Sequence, residues 1–194
     1  MGRTYLFMGG NSHPRDQHLE ILLRTRLAGP GDRFIGQQDL LDQHDDGQWR
    51  VAFRHRRELL RCALDGLRGQ PGPVVLLGRS SGAWVQTALA AEPGWHGRIG
   101  ALLCFGYPFR HPRCAVERRR FLHLFRLAVP TLILQGRHDP YGGAEVADQY
   151  LLSEAVGLRV LETDHALRMP PEAWDGALED IRHFLSTRLG PAGP

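Results

Sequence analysis

The chain has 194 residues, 42% hydrophobic and 23% charged, which excludes a largely disordered or collagen-like polymer and suits one folded domain, 1–194. Its formal charge is +3 and all 24 basic residues are arginine, read here as a coding bias with an exposed guanidinium surface rather than a nucleic-acid-binding face. Three cysteines without C-x-x-C spacing suggest neither a disulfide framework nor a zinc ribbon.

Thr4–Met8 (TYLFM) predicts a strand, stopped by Gly9-Gly10-Asn11. His18–Leu27 predicts a helix with Leu19, Leu22, Leu23 and Leu27 in register, and Arg33–Leu40 a further strand. A helix follows over Trp49–Leu67, with Phe53, Leu60, Leu64 and Leu67 on one face. Pro73–Leu77 is a near-continuous apolar strand, followed after one turn by an Ala-rich helix, Ser81–Ala91. Ile99–Phe105, Thr131–Gln135 and Leu158–Leu161 predict three more strands. The last helix, Pro171–Leu189, opens on proline and repeats Trp174, Leu178, Ile181 and Leu185 at helical spacing before Gly190 stops it. Strands without polar alternation are buried on both faces, so the expected architecture is an α/β fold: a parallel sheet of about six strands with helices on both sides and no large lid. The tail from Gly190 to Pro194 is expected to fray.

In such a sheet, ligands gather where strands end at their carboxyl edge. After PVVLL comes Gly78-Arg79-Ser80-Ser81-Gly82, a Gly-x-Ser-x-Gly turn centred on Ser80. The glycines have a steric reason, because a sharp strand-to-helix turn leaves no room for side chains two residues either side of a nucleophile. Ser81 fails that test, since Arg79 would fill the crowded position. After TLILQ comes Asp139, within Gly136-Arg137-His138-Asp139-Pro140, and after LRVL comes His165. His138 is expected to point elsewhere, and Asp164 is the alternative orienting acid. Nucleophile, acid and base thus appear in the order Ser80, Asp139, His165, each just past a different strand. The implied chemistry is attack of Ser80 on an acyl carbonyl, with His165 taking the proton and Asp139 holding its tautomer. Backbone N–H groups of Ser81 and Gly10 are the candidate oxyanion donors. Tyr107, Phe109 and Tyr141 follow strand ends and are candidate substrate-binding residues.

The stretches LLGRSSGA, LLCFGYPF, PTLILQGRHDPYG and ETDHALR resemble small, lid-poor α/β-hydrolase-like proteins related to dienelactone hydrolases, a family that includes a eukaryotic chromatin-complex subunit. Gly106–Pro108 and Gln135–Pro140 carry the likeness most specifically, which runs from about Pro73 to the last helix. The resemblance implies an α/β-hydrolase fold and a Ser-Asp-His triad on Ser80, Asp139 and His165. It departs from the family at Met8-Gly9, where His-Gly is usual, and at Ser81-Gly82-Ala83, where Met-Gly-Gly is usual. The N-terminal antiparallel strands of larger relatives are not expected here, which would leave a minimal core.

The function expected is therefore a serine hydrolase acting on a small carboxylic ester, thioester or related acyl compound. A dienelactone-hydrolase activity would use cysteine at the elbow and is not implied. The alternative is an interaction module that keeps the fold without hydrolysis. No cofactor or metal is expected, since His111-Pro-Arg-Cys114 lacks a second ligand pair. Arg50, Arg54, Arg57 and Arg61 form a helix stripe best read as a solvated face, while Arg118-Arg119-Arg120 is expected to border the pocket within an Arg-rich segment, 106–125, the one stretch suited to a small cap. Expected partners are the acyl substrate alone, with no nucleic acid and no membrane, in a monomer or homodimer. The opening residues carry no signal-peptide pattern and Leu6 breaks a myristoylation motif, so a cytoplasmic setting is expected.

Overall fold

The computed structural model describes residues 2–11, 17–44 and 53–191. Six strands form one sheet: β1 (Thr4–Met8), β2 (Arg33–Ile35), β3 (Val74–Arg79), β4 (Ala101–Phe105), β5 (Thr131–Gly136) and β6 (Val156–Leu161). Their order is β2-β1-β3-β4-β5-β6, and every neighbouring pair is parallel.

Every residue of β1, β3, β4 and β5 is buried, as continuous apolar runs require when both sheet faces are covered. Successive side chains point to opposite faces, which divides the core in two. On one face Leu6, Met8, Leu76, Leu102, Cys104 and Ile133 pack with α3 (Phe53–Gly66) and α4 (Ser81–Ala90), through Leu60, Leu64, Val85 and Leu89. On the other, Tyr5, Phe7, Leu77, Leu103 and Leu134 pack with α1 (Gln17–Arg26) and α6 (Pro171–Leu189). Trp174, Leu178, Ile181 and Leu185 of α6 are buried there, each contributing roughly 1.5–3 kcal/mol of apolar burial. The edge strand β6 instead alternates partly buried with exposed residues until Leu161.

One expected strand is corrected. Only Arg33–Ile35 of the Arg33–Leu40 segment pairs with β1, and Gln37–His44 forms a helix, α2. Asp39 explains the change, since its Oδ2 accepts the Gly36 N–H at 2.7 Å and caps the helix start. The beginning of the predicted Trp49–Leu67 helix, and Arg50 of its arginine stripe, lie outside the described residues. Arg57 and Arg61 of that stripe both pair with Glu92, at 3.0 Å each. Between β4 and β5 run two short 3-10 turns, Arg118–Arg120 and Leu122–Arg126, and between β5 and β6 a four-residue helix, α5 (Val146–Gln149). No helix among the described residues is long and apolar enough to cross a membrane.

The chain leaves β1 toward β2 on one side and returns to β3 on the other. That reversal opens a crevice at the carboxyl ends of β1 and β3, where Gly9-Gly10 and the Ser80 turn meet.

Candidate active site

Ser80 joins β3 to α4 at φ 51° and ψ −120°, a backbone region that side chains rarely adopt and that costs of order 1–3 kcal/mol. Packing on both sides holds it there. A Cβ on Gly78 would stand 2.4 Å from Ala83 Cα, and one on Gly82 would stand 2.2 Å from Met8 O. The glycines of the pentapeptide therefore let α4 settle against β3 and the end of β1 at once. Ser80 N–H is secured by Phe105 O at 3.0 Å, so the strained residue is also tied to β4.

The three residues expected to act together are brought together. Ser80 Oγ lies 3.0 Å from His165 Nε2, and His165 Nδ1 lies 2.7 Å from Asp139 Oδ2. They come from loops after β3, β6 and β5, all at the same sheet edge. Asp139 is 2% exposed, and its charge is met on several sides: Oδ1 accepts the Tyr141 N–H at 2.8 Å, and Oδ2 also accepts from Gln135 Nε2 at 2.9 Å. Asp164 takes no part, because its Oδ1 accepts the Ala166 N–H at 2.8 Å within its own loop. His138 points away, as expected, toward Glu162.

The His165 ring has neighbours on two sides. Tyr141 packs against it with centroids 4.4 Å apart. Arg79, buried behind the elbow, donates to Phe105 O at 3.2 Å and to the His165 backbone carbonyl, and its Nη1 lies 3.4 Å from His165 Nε2. The arginine inside the pentapeptide thus pins the histidine loop to the end of β4.

Ser81 is occupied rather than nucleophilic. Its hydroxyl donates to Asn11 Oδ1 at 2.9 Å and accepts from Arg56 Nη1 at 2.9 Å and from the Asn11 N–H at 3.1 Å. Gly9-Gly10 lies beside it at the end of β1, with the Gly9 N–H donated to Gln37 Oε1 at 2.8 Å.

Of the three expected substrate contacts, only Tyr141 adjoins the His165 ring. Tyr107 and Phe109 are fully buried, a correction with a clear cause. Tyr107 N–H reaches Gln135 Oε1 at 2.8 Å, and its hydroxyl donates to Arg120 O at 2.6 Å. Phe109 stacks between Tyr107 and Tyr150, at 4.7 and 4.9 Å. Tyr107 thus braces the 3-10 segment and Phe109 packs behind it, neither facing solvent. That segment lies along α4, where Arg119 O accepts from Trp84 Nε1 at 3.2 Å. Arg119 and Arg120 cover the Trp84 ring and share Glu117 as their ion-pair partner. An apolar cavity of about 630 Å³, lined by Phe121, Leu122, Phe125 and Tyr150, opens beside Ala91, at the far end of α4 from Ser80. No cluster of three or more potential metal ligands occurs among the described residues.

Three polar residues escaped sequence reasoning: Gln37, Arg56 and Gln135, all buried. One of them left a trace. Arg56 falls in register with Phe53, Leu60 and Leu64 on the apolar face of α3, an unusual position for a guanidinium.

A parallel six-stranded sheet with a strained serine turn at its carboxyl edge is the α/β-hydrolase fold. The chain belongs to the alpha/beta hydrolase domain family, which it matches over residues 43–183. No protein of curated function matches it in sequence. Among solved structures it is similar to a metagenome-derived lipolytic enzyme, with a TM-score of 0.66 at 12% identity, covering 95% of this chain and 93% of the other. It is also similar to an esterase domain from Rhodothermus marinus, at TM-score 0.64, 19% identity and coverages of 97% and 87%. A monoacylglycerol lipase from Paleococcus ferrophilus gives 0.63, 13%, 96% and 95%. At these identities the likeness is one of fold.

Proposed function

We propose that the protein is a serine hydrolase that cleaves a small carboxylic ester, thioester or related acyl compound through an acyl-enzyme. The observation that carries this reading is the unbroken hydrogen-bonded chain Ser80 Oγ–His165–Asp139, with its inner carboxylate buried and fully engaged. In the reaction, His165 Nε2 accepts the Ser80 proton as Oγ attacks the carbonyl carbon. Asp139 keeps the other proton on Nδ1 and stabilises the imidazolium. The carbonyl oxygen becomes an oxyanion held by the Gly10 and Ser81 N–H groups, with the positive end of α4 behind it. His165 then hands its proton to the leaving group, and water repeats the sequence to release the acid.

Among the described residues no large lid stands over the Ser80 turn, which favours small substrates over long buried chains. The esterase and lipase names of the structural neighbours agree with ester chemistry, and Gly106–Pro108 with Gln135–Pro140 support placement near the dienelactone-hydrolase-related branch. Two exposed free cysteines, Cys62 and Cys114, suit a reducing cytoplasm. There the protein would act as a monomer or homodimer, without a nucleic-acid or membrane partner. A silent interaction module of the same fold is the second reading, and the complete side-chain relay weighs against it, since a scaffold has no need of all three groups.

The test is labelling of the purified protein by a fluorophosphonate probe. Wild type should label, Ser80→Ala should not, and Ser81→Ala, which keeps its backbone N–H, should still label. A folded wild type that stays unlabelled would sink the hydrolase reading.

A further inference from the structure

We infer that Arg56, on α3, is a positioning residue that orients and polarises the Gly9–Gly10 peptide, so that the Gly10 N–H serves as an oxyanion donor; this rests on the serine-hydrolase reading above. Arg56 is 2% exposed, whereas the stripe residues Arg57 and Arg61 reach outward to Glu92. Burying a guanidinium is costly unless its donors are used, and this one is used at the site. Its Nη2 donates to Gly9 O at 2.5 Å, and its Nη1 to Ser81 Oγ at 2.9 Å and Asn11 Oδ1 at 3.1 Å.

The Gly9 carbonyl and the Gly10 N–H are two ends of one planar peptide, pointing in opposite directions. Fixing the oxygen therefore fixes the direction of the N–H. A cationic donor on that oxygen also draws density from the amide and makes the N–H a stronger donor, as in any hydrogen-bonded chain. The preceding peptide is pinned as well, because Gln37 Oε1 accepts the Gly9 N–H. β1 pairs with β3 only as far as Met8, so beyond it these side chains take over from the sheet ladder.

Arg56 also sets the spacing between the two candidate donors. It bonds Gly9 and Asn11 on one side and Ser81 on the other, while Asn11 and Ser81 hydrogen-bond to each other twice. This arrangement takes the place of the His-Gly pair that the first turn lacks at Met8-Gly9.

The experiment compares wild type, Arg56→Met and Arg56→Lys by p-nitrophenyl acetate hydrolysis, fluorophosphonate labelling rate and thermal unfolding. Arg56→Met should lower kcat roughly 30- to 100-fold with KM changed less than about threefold, as expected for a contact that matters mainly in the transition state. Its labelling rate should fall by a similar factor, because the phosphonyl oxygen occupies the same hole. Arg56→Lys should recover part of the loss, since one ammonium can reach Gly9 O but lacks the planar fork that also serves Ser81 and Asn11. If Arg56→Met does not fold, Arg56→Lys decides alone. Either folded variant with wild-type kcat and labelling rate overturns the inference, as does a rise in KM alone. Labelled wild type beside unlabelled Ser80→Ala keeps the hydrolase reading whatever Arg56 does; a silent wild type removes both.

Discussion

Gln135 and Asp139 share a hydrogen bond of 2.9 Å from the side-chain amide to Oδ2, the same oxygen that accepts from His165. Gln135 is the last residue but one of β5 and fully buried. Its amide also donates to the Gly142 carbonyl and lies 3.3 Å from the Tyr107 carbonyl, and its Oε1 accepts the Tyr107 N–H. One side chain therefore locks the acid loop to the turn after β4. Gln135→Leu should strand these backbone groups and lower stability by about 2–4 kcal/mol, with kcat falling about tenfold as Asp139 loses a donor. Urea unfolding beside an ester assay separates the two effects, and an unchanged unfolding midpoint would contradict the locking role.

Asp139→Asn tests the tautomer argument. An amide at this position keeps the shape but can present a donor to Nδ1, which leaves His165 with the wrong proton for accepting from Ser80. A loss of about 10³- to 10⁴-fold in kcat is expected at nearly unchanged stability. Activity within tenfold of wild type would mean that Asp139 is structural.

The elbow glycines predict opposite stability effects from one chemical change. Gly78→Ala and Gly82→Ala push a methyl group into Ala83 or the Met8 carbonyl and should cost about 2 kcal/mol or more. Gly176→Ala, exposed in the middle of α6 with open space around it, should stabilise by about 0.5–1 kcal/mol. Chemical denaturation of the three variants checks the contrast, and equal midpoints would refute the close-packed elbow.

His123 gives a pH dependence. Burial pushes its pKa down to about 4, partly offset by a hydrogen bond to the Arg119 backbone, while its ring bonds Thr87 Oγ1 at 2.9 Å and approaches the Tyr107 hydroxyl at 3.3 Å. In the unfolded chain the imidazole titrates near its usual value of about 6.5. Between those values the unfolded chain binds the proton and the folded chain does not. Stability from this group is thus complete above about pH 6.5 and lost as pH falls toward 4, a change of about 3 kcal/mol at most. His123→Gln should flatten that part of a stability-against-pH curve; an identical slope would place the acid sensitivity elsewhere.

Much of the candidate site was readable from residues because its side chains sit at strand ends. Apolar runs without alternation identified β1, β3, β4 and β5, and the residues just beyond β3, β5 and β6 then stood out. The Arg33–Leu40 segment misled because Ile35 and Leu40 fit a strand or a helix equally well, and the deciding group was the Asp39 cap. Tyr107 and Phe109 follow a strand end too, yet only the path of the 3-10 segment across α4 determines that they are covered. Gln37, Arg56 and Gln135 act by bonding to distant backbone, and composition or periodicity does not encode such partners.

The order of the strands anchors the two halves of the candidate site differently. Gly10 and Ser80 leave adjacent central strands, β1 and β3, so their separation inherits the roughly 4.8 Å spacing of a hydrogen-bonded sheet. His165 instead leaves the edge strand β6 and is held by side chains, Asp139 at one nitrogen and Arg79 at its carbonyl. In the proposed reaction the imidazole must turn from the serine oxygen toward the leaving group, whereas the oxyanion cradle gains from standing still. In that proposed reaction the group that turns would stand at the border of the sheet, and the groups that stay still in its interior.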